Sequence, residues 1–300
     1  MSRVFAISDL HVDFSGNMSK MLALSDYDYI DDVLIIAGDV SDSLERLEVL
    51  LAAMSKKFYK VLFTIGNHEL WLRNSGYADS LEKFRAVLDL CDALGVQTQP
   101  YLYEGRSSSV WLVPLFSWYQ LPENGQDTLF IPKAGENWAQ CGWMDTVLCR
   151  WPGDFAEQLI SPADYFLSLN EATLSTSYTA PIISFSHFLP RRELIFSDIA
   201  MAKRYADGQQ LIPLYEGDPH PLFNFSRVAG CQTLDEQVRQ LQSKVHIYGH
   251  QHRNRCRRID NVTYVSHCLG NIKEQRALAY SEEPLCIWDD GDFIQPEDSL

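Results

Sequence analysis

Seven candidate donors, two carboxylates, one carboxamide and four imidazoles, stand beside His68 and Glu69 in five short motifs of this chain: Asp9-Leu-His11, Gly38-Asp39, Gly66-Asn67-His68-Glu69, Ser186-His187 and Gly249-His250-Gln251-His252. As donors, Asp9, His11, Asp39, Asn67, His187, His250 and His252 suit two divalent ions of intermediate hardness, such as manganese, iron, zinc or cobalt, and suit calcium poorly. Taken singly the motifs say little. An Asp-x-His at a strand end is commonly a helix cap beside a satisfied histidine, and Gly-Asp is commonly a turn. Gly-Asn-His-Glu says more, because such residues directly after a buried strand make a poor core. In an extended segment His250 and His252 point to the same side. Glycines before Asp39, Asn67 and His250 let the backbone turn sharply where cations must approach.

Each motif follows an apolar run that reads as a buried strand: Val4-Phe-Ala-Ile7, Val33-Leu-Ile-Ile36, Val61-Leu-Phe-Thr-Ile65, Ile182-Ile-Ser-Phe185 and Val245-His-Ile-Tyr248. The donors therefore recur where strands end, which is where α/β folds place their chemistry. Between the strands, the stretch from Asp42 to Phe58 has helical apolar spacing with Ser41 or Asp42 as cap, and Tyr77 to Leu94 repeats it with Gly95 beyond its end. This alternation predicts a sheet with parallel strands and crossover helices. The grammar changes after Pro100. A strand over Ser109–Val113 leads into an irregular segment at about 114–162 that holds Trp118, Trp138, Trp143 and Trp151, either a functional loop or a structural insertion. The spacing predicts a helix from Ser161 to Tyr178. A second irregular insertion covers about 194–227, a helix runs from about Leu234 to Leu241, and Asp260-Asn261 joins two short strands in a hairpin.

The chain of 300 residues has an ordinary globular composition, with 46% hydrophobic and 22% charged residues. Its formal charge of −15 weighs against non-specific attraction to nucleic acid or an anionic membrane. No apolar run reaches the roughly 20 residues of a spanning helix. A cleaved leader would remove part of the first motif, and seven scattered cysteines without a Cys-x-x-Cys pair read as reduced thiols. Both point to a cytoplasmic protein.

The ordered set Asp-x-His, Gly-Asp, Gly-Asn-His-Glu, His, Gly-His-x-His resembles the calcineurin-like metallophosphoesterase superfamily over residues 3 to 270. The resemblance implies an α/β fold of four layers, αββα, with two mixed sheets and the metal site at strand C-terminal ends, in a single domain over 1–300. It implies one metal held by Asp9, His11, Asp39 and His252 and another by Asp39, Asn67, His187 and His250. Two cations sharing a water lower its pKa and give a bridging hydroxide that attacks phosphorus. His68 is then placed to protonate or orient the leaving oxygen, and Glu69 to support the site.

The Ser/Thr protein phosphatases of the superfamily follow Gly-Asp with Asp-Arg-Gly; Gly38-Asp39-Val-Ser-Asp42-Ser43-Leu44 lacks the arginine and glycine. The expectation is a hydrolase of small-molecule phosphomonoesters or phosphodiesters, nucleotides included. Arg253 suits a substrate phosphate, and Trp118 or Trp143 an apolar or stacked ester group. Arg255, Arg257 and Arg258 read as a solvated hairpin face, and Arg191-Arg192 as a surface loop. His220, His246 and His267 lack matching positions. The alternatives are a non-catalytic interaction scaffold on the same fold and a single-metal sensor. The completeness of the donor set and the presence of His68 argue against both.

Overall fold

Side chains alternate across a strand, so a strand whose two faces are both apolar must be covered twice. The computed structural model describes residues 2–73, 75–121, 127–214, 216, 218, 220–278 and 281–295. In chain order its strands are β1 (Arg3–Ile7), β2 (Val33–Ala37), β3 (Lys60–Thr64), β4 (Tyr101–Glu104), β5 (Ser109–Pro114), β6 (Ile182–Phe185), β7 (Val245–Tyr248), β8 (Arg255–Ile259), β9 (Val262–Ser266), β10 (Leu285–Asp289) and β11 (Asp292–Phe293). One sheet has the order β11-β10-β1-β2-β3 and the other β4-β5-β6-β7-β9-β8. Parallel pairs form the centre of each, with β10 antiparallel to β1 and with β4 and β8 antiparallel at the edges of the second sheet.

The alternation sets the layers. Val4, Ala6, Val33, Ile35 and Leu62 face the second sheet and pack with Leu112, Ile183, Phe185, Val245, Ile247 and Val265. On the opposite face Phe5, Ile7, Leu34, Ile36 and Phe63 meet Leu47, Leu50, Leu51 and Met54 of helix Leu44–Lys57 and Leu81, Phe84 and Val87 of helix Ser80–Leu94. The outer face of the second sheet buries Ile182, Tyr248 and Tyr264 against Leu167, Leu234 and Val238. Helix, sheet, sheet and helix thus stack in four layers, as expected. Each fully buried Leu, Ile or Phe contributes about 1.5–3 kcal/mol.

Local differences have local causes. Helix Leu44–Lys57 is capped by Ser43, which accepts from Arg46 N–H, rather than by Ser41 or Asp42; the Ser41 hydroxyl donates to Asp13 at 2.8 Å and accepts from Ser43 N–H at 3.0 Å, one residue before the helix. The stretch expected as one helix after Ser161 is two short ones, Pro162–Ser168 and Glu171–Leu174. They are separated at Asn170, whose buried carboxamide pairs with both Phe116 N–H and Phe116 C=O at 2.9 Å and with Gln237. Asp260 and Asn261 take left-handed φ of 46° and 70° in the β8–β9 turn, as a two-residue hairpin of that type requires. No helix among the described residues is long and apolar enough to cross a membrane.

Candidate metal centre

The turns that follow β1, β2 and β7 carry the donors on unusual backbone. Asp9, His11, Asp39, His250 and His252 have φ of 49°, 40°, 56°, 71° and 52°, and they make up half of the ten non-glycine residues with positive φ among those described. Asp and His tolerate this region better than most residues, yet such geometry persists only where surrounding structure imposes it. Backbone bonds between motifs do so here. Asp9 N–H donates to Gly38 C=O at 3.0 Å, His11 N–H to Asp39 C=O at 3.0 Å, and Gly249 N–H to His187 C=O at 2.9 Å. Close approach fixes two glycines: a Cβ on Gly66 would lie 2.1 Å from Asp39 Oδ1, and one on Gly38 2.6 Å from His187 Nδ1.

All seven expected donors converge. Asp9, His11, Asp39 and His252 form one cluster and Asp39, His187 and His250 a second, with donor atoms in each within 4.8 Å of one another and Asp39 common to both. Asp39 Oδ2 lies 3.3 Å from His187 Nε2, 3.8 Å from His68 Nε2 and 3.9 Å from His11 Nε2. Asn67 Oδ1 joins the second cluster, 3.2 Å from His187 Nε2.

The outward hydrogen bonds test whether cations fit. His187 Nδ1 pairs with Ala37 C=O at 2.9 Å, His250 Nε2 with Val228 C=O at 3.0 Å, and His252 Nδ1 with Glu274 at 2.9 Å. Asn67 Nδ2 donates to Asp145 at 2.9 Å. Each N–H is thereby directed away from the centre, leaving a ring lone pair or the amide oxygen facing inward, which is how ligands to metals are oriented. His252 Nε2 meets His11 Nε2 at 2.8 Å, two nitrogens that need a cation or a proton between them.

The electrostatics agree. Burial lowers the basicity of His252, but Asp9 and Glu274 outweigh it and raise the ring to about 10. At His187 burial is likewise outweighed, chiefly by Asp39, to about 9. His250, buried without a carboxylate bond, is pushed down to about 3. Burial would raise the Asp39 carboxyl, yet the imidazoles, His187 foremost, hold it well below the usual range. This is a buried pocket that calls for positive charge.

His68 follows Asn67 and lies beside the centre, its ring stacked on Trp71 with centroids 3.6 Å apart. Burial lowers its pKa, against the pull of Asp39 and Asp145. Glu69 is buried and accepts four backbone hydrogen bonds: from Asp39 and Gly66 N–H at 3.1 and 2.7 Å and from Val40 and Ser41 N–H at 2.6 and 3.1 Å. It ties the second motif to the third.

A cavity of about 890 Å³ opens from the centre between the two insertions, walled by Trp143, Ile195, Phe196, Tyr205, Phe223 and Phe225 and reached by Arg253. Trp118 does not line it. It is 3% exposed, packed among Tyr119, Trp151, Phe166 and Phe188, so its ring serves the core. The arginines also differ from expectation. Arg257 donates to the carbonyls of Glu193, Phe196 and Ser197, and Arg255 to those of Leu194 and the Gln251 side chain, pinning the wall segment; Arg258 alone stays on the solvated face. Arg191 pairs with Glu193, Asp235 and Asp260, and Arg192 with Thr128 C=O. Of the histidines set aside, His246 is buried between Ser184 and Ser186, His267 pairs with Glu283 C=O, and His220 lies on the cavity lining. Sequence reasoning missed Asp145 and Glu274, which orient Asn67 and His252; neither lies in a motif.

Fold and donors together define a class. The chain belongs to the calcineurin-like phosphoesterase family, whose model matches residues 2–254. It is similar to the acyl-carrier-protein phosphodiesterase PptH of Mycobacterium tuberculosis (strain ATCC 25618 / H37Rv), with 32% identity over 143 residues, 46% of this chain and 41% of that protein. The match spans about two fifths of that relative's length. The crystal structure of the phosphopantetheinyl hydrolase PptH from Mycobacterium tuberculosis superposes with a TM-score of 0.69 at 20% identity, covering 98% of both chains. At that identity the likeness is one of fold.

Proposed function

We propose that this protein is a metal-dependent phosphodiesterase that releases a phosphopantetheine arm from a carrier protein, leaving a phosphomonoester and an alcohol. The observation that carries the reading is the cavity of about 890 Å³, walled largely by apolar residues, that leads to the donor clusters. A small phosphomonoester needs no such volume, whereas a long ester arm does, and the similar phosphodiesterase is named for an acyl-carrier-protein substrate.

Asp9, His11, Asp39 and His252 would hold one divalent ion and Asp39, Asn67, His187 and His250 the other, with manganese, iron, zinc or cobalt compatible with these donors. When bound, two such ions supply a water of lowered pKa and stabilise charge on the phosphoryl oxygens. The chain does the rest. His68, held against Trp71, gives a proton to the leaving oxygen. Exposed Arg253 at the cavity carries charge toward the substrate phosphate. Trp143 and Phe223, stacked with centroids 5.7 Å apart, wall the arm and exclude water.

The test is mass spectrometry of a phosphopantetheinylated carrier protein after incubation with metal-reconstituted enzyme. Loss of the arm is expected, and its retention with His68→Ala. An untouched carrier alongside rapid p-nitrophenyl phosphate hydrolysis would sink the diester reading.

A further inference from the structure

We propose that Asp145, in the irregular segment outside all five motifs, is the positioning residue that sets both the Asn67 ligand and the His68 ring. Its carboxylate is 3% exposed and accepts three side-chain donors. Oδ1 accepts from Asn67 Nδ2 at 2.9 Å and from Trp71 Nε1 at 2.7 Å, and Oδ2 accepts from Trp143 Nε1 at 2.9 Å. The first bond turns the Asn67 amide oxygen toward His187 and Asp39. The second fixes the indole on which His68 stacks. The third holds the cavity wall beside His250, whose ring centroid is 6.0 Å from that of Trp143.

An aspartate can serve all three because an ionised carboxylate offers only acceptors. The backbone carrying it is stitched to the third motif's own continuation: Leu72 N–H donates to Leu148 C=O and Ser80 N–H to Arg150 C=O, both at 2.8 Å. The insertion therefore reaches the centre through a buried carboxylate, and of the insertion's tryptophans Trp143 donates to it.

The inference rests on the metal-holding role proposed for Asn67, and its tests use metal alone or simple phosphodiesters, so it fails or stands apart from the phosphopantetheine reading. Metal-free wild type, Asp145→Ala and Asp145→Asn are titrated with Zn2+ in a calorimeter. Asp145→Ala should weaken one of two equivalents by about 10–100-fold while leaving the other nearly as in wild type. Asp145→Asn, whose carbonyl can still serve Asn67 and Trp71, should recover most of that loss. Wild-type affinity for both equivalents in Asp145→Ala, equal weakening of both, or no recovery in Asp145→Asn would each overturn the proposal. Should Asp145→Ala not fold, Trp71→Phe keeps an aromatic ring beside His68 while removing the indole N–H together with its five-membered ring. It should slow a dialkyl phosphodiester more than bis(p-nitrophenyl) phosphate, whose leaving group needs no proton. Equal slowing of the two would overturn the link to His68.

Discussion

Adding one methyl group at Gly66 attacks the centre from a side that no ligand substitution reaches. A Cβ there would lie 2.1 Å from Asp39 Oδ1 and 2.6 Å from Asp39 N, where real Cβ contacts essentially never fall below 3.0 Å. Neither neighbour is free to yield. Oδ1 accepts the His68 N–H at 3.0 Å, and Asp39 N–H is held by Glu69 at 3.1 Å. Moving from 2.1 to 3.0 Å requires the shared carboxylate to retreat by about 0.9 Å. A displacement near 1 Å costs about 10²-fold in rate, or about 2.7 kcal/mol of barrier. Overpacking adds a stability loss of about 1–3 kcal/mol. Kinetics on bis(p-nitrophenyl) phosphate reads the rate loss, thermal melting the stability loss, and calorimetric metal titration the displacement of the shared carboxylate. Gly76→Ala, where nothing lies within 4 Å of the added Cβ, is the control. A folded Gly66→Ala enzyme with wild-type kcat/KM would refute the assignment of Asp39 as the shared ligand.

The remaining predictions follow from single side chains. His68→Ala should lower phosphodiester turnover by about 10²–10⁴-fold while elemental analysis still finds the wild-type metal content, because the ring stacks beside the donors; loss of metal would instead make it a ligand. His246, pushed down to about 3 by burial, is folded in its neutral form, so its contribution is complete above its ordinary value near 6.5 and is lost as pH falls from there towards 3. Melting temperature should decline over that window, and His246→Gln should reduce the proton uptake linked to unfolding by about one. An unaltered slope would place the titration elsewhere.

The centre was legible because polar residues directly after buried strands have no packing role to compete with a chemical one. Asp9, Asp39, Asn67 and His187 stand out against Val, Ile and Phe; six of the seven donors fall in two adjoining clusters, and Asn67 joins the second through His187. The layers were legible for a related reason, since runs apolar on both faces demand cover on both. What stayed hidden depends on partners distant in sequence. Asp145 sits in a stretch without periodicity and acquires meaning only from donors 78 and 74 residues away. Arg257 follows the alternation of a solvated strand, but three carbonyls on a neighbouring loop claim it. Helical spacing ran through Asn170, and nothing local announced that Phe116 would take its carboxamide. Trp118 was read from composition alone, and composition does not say which side of a wall an indole occupies.

The left-handed backbone at Asp9, His11, Asp39, His250 and His252 sets stability and activity against each other at five points. A non-glycine residue in that region carries a penalty of roughly 1–2 kcal/mol that glycine would not. Selection for heat resistance alone would therefore favour glycine at the positions where the side chain is indispensable. The tension lies in main-chain torsion, so no repacking of the surrounding core can remove it. A thermostable version of this protein must find its gains elsewhere, in the helices and sheet edges far from the turns.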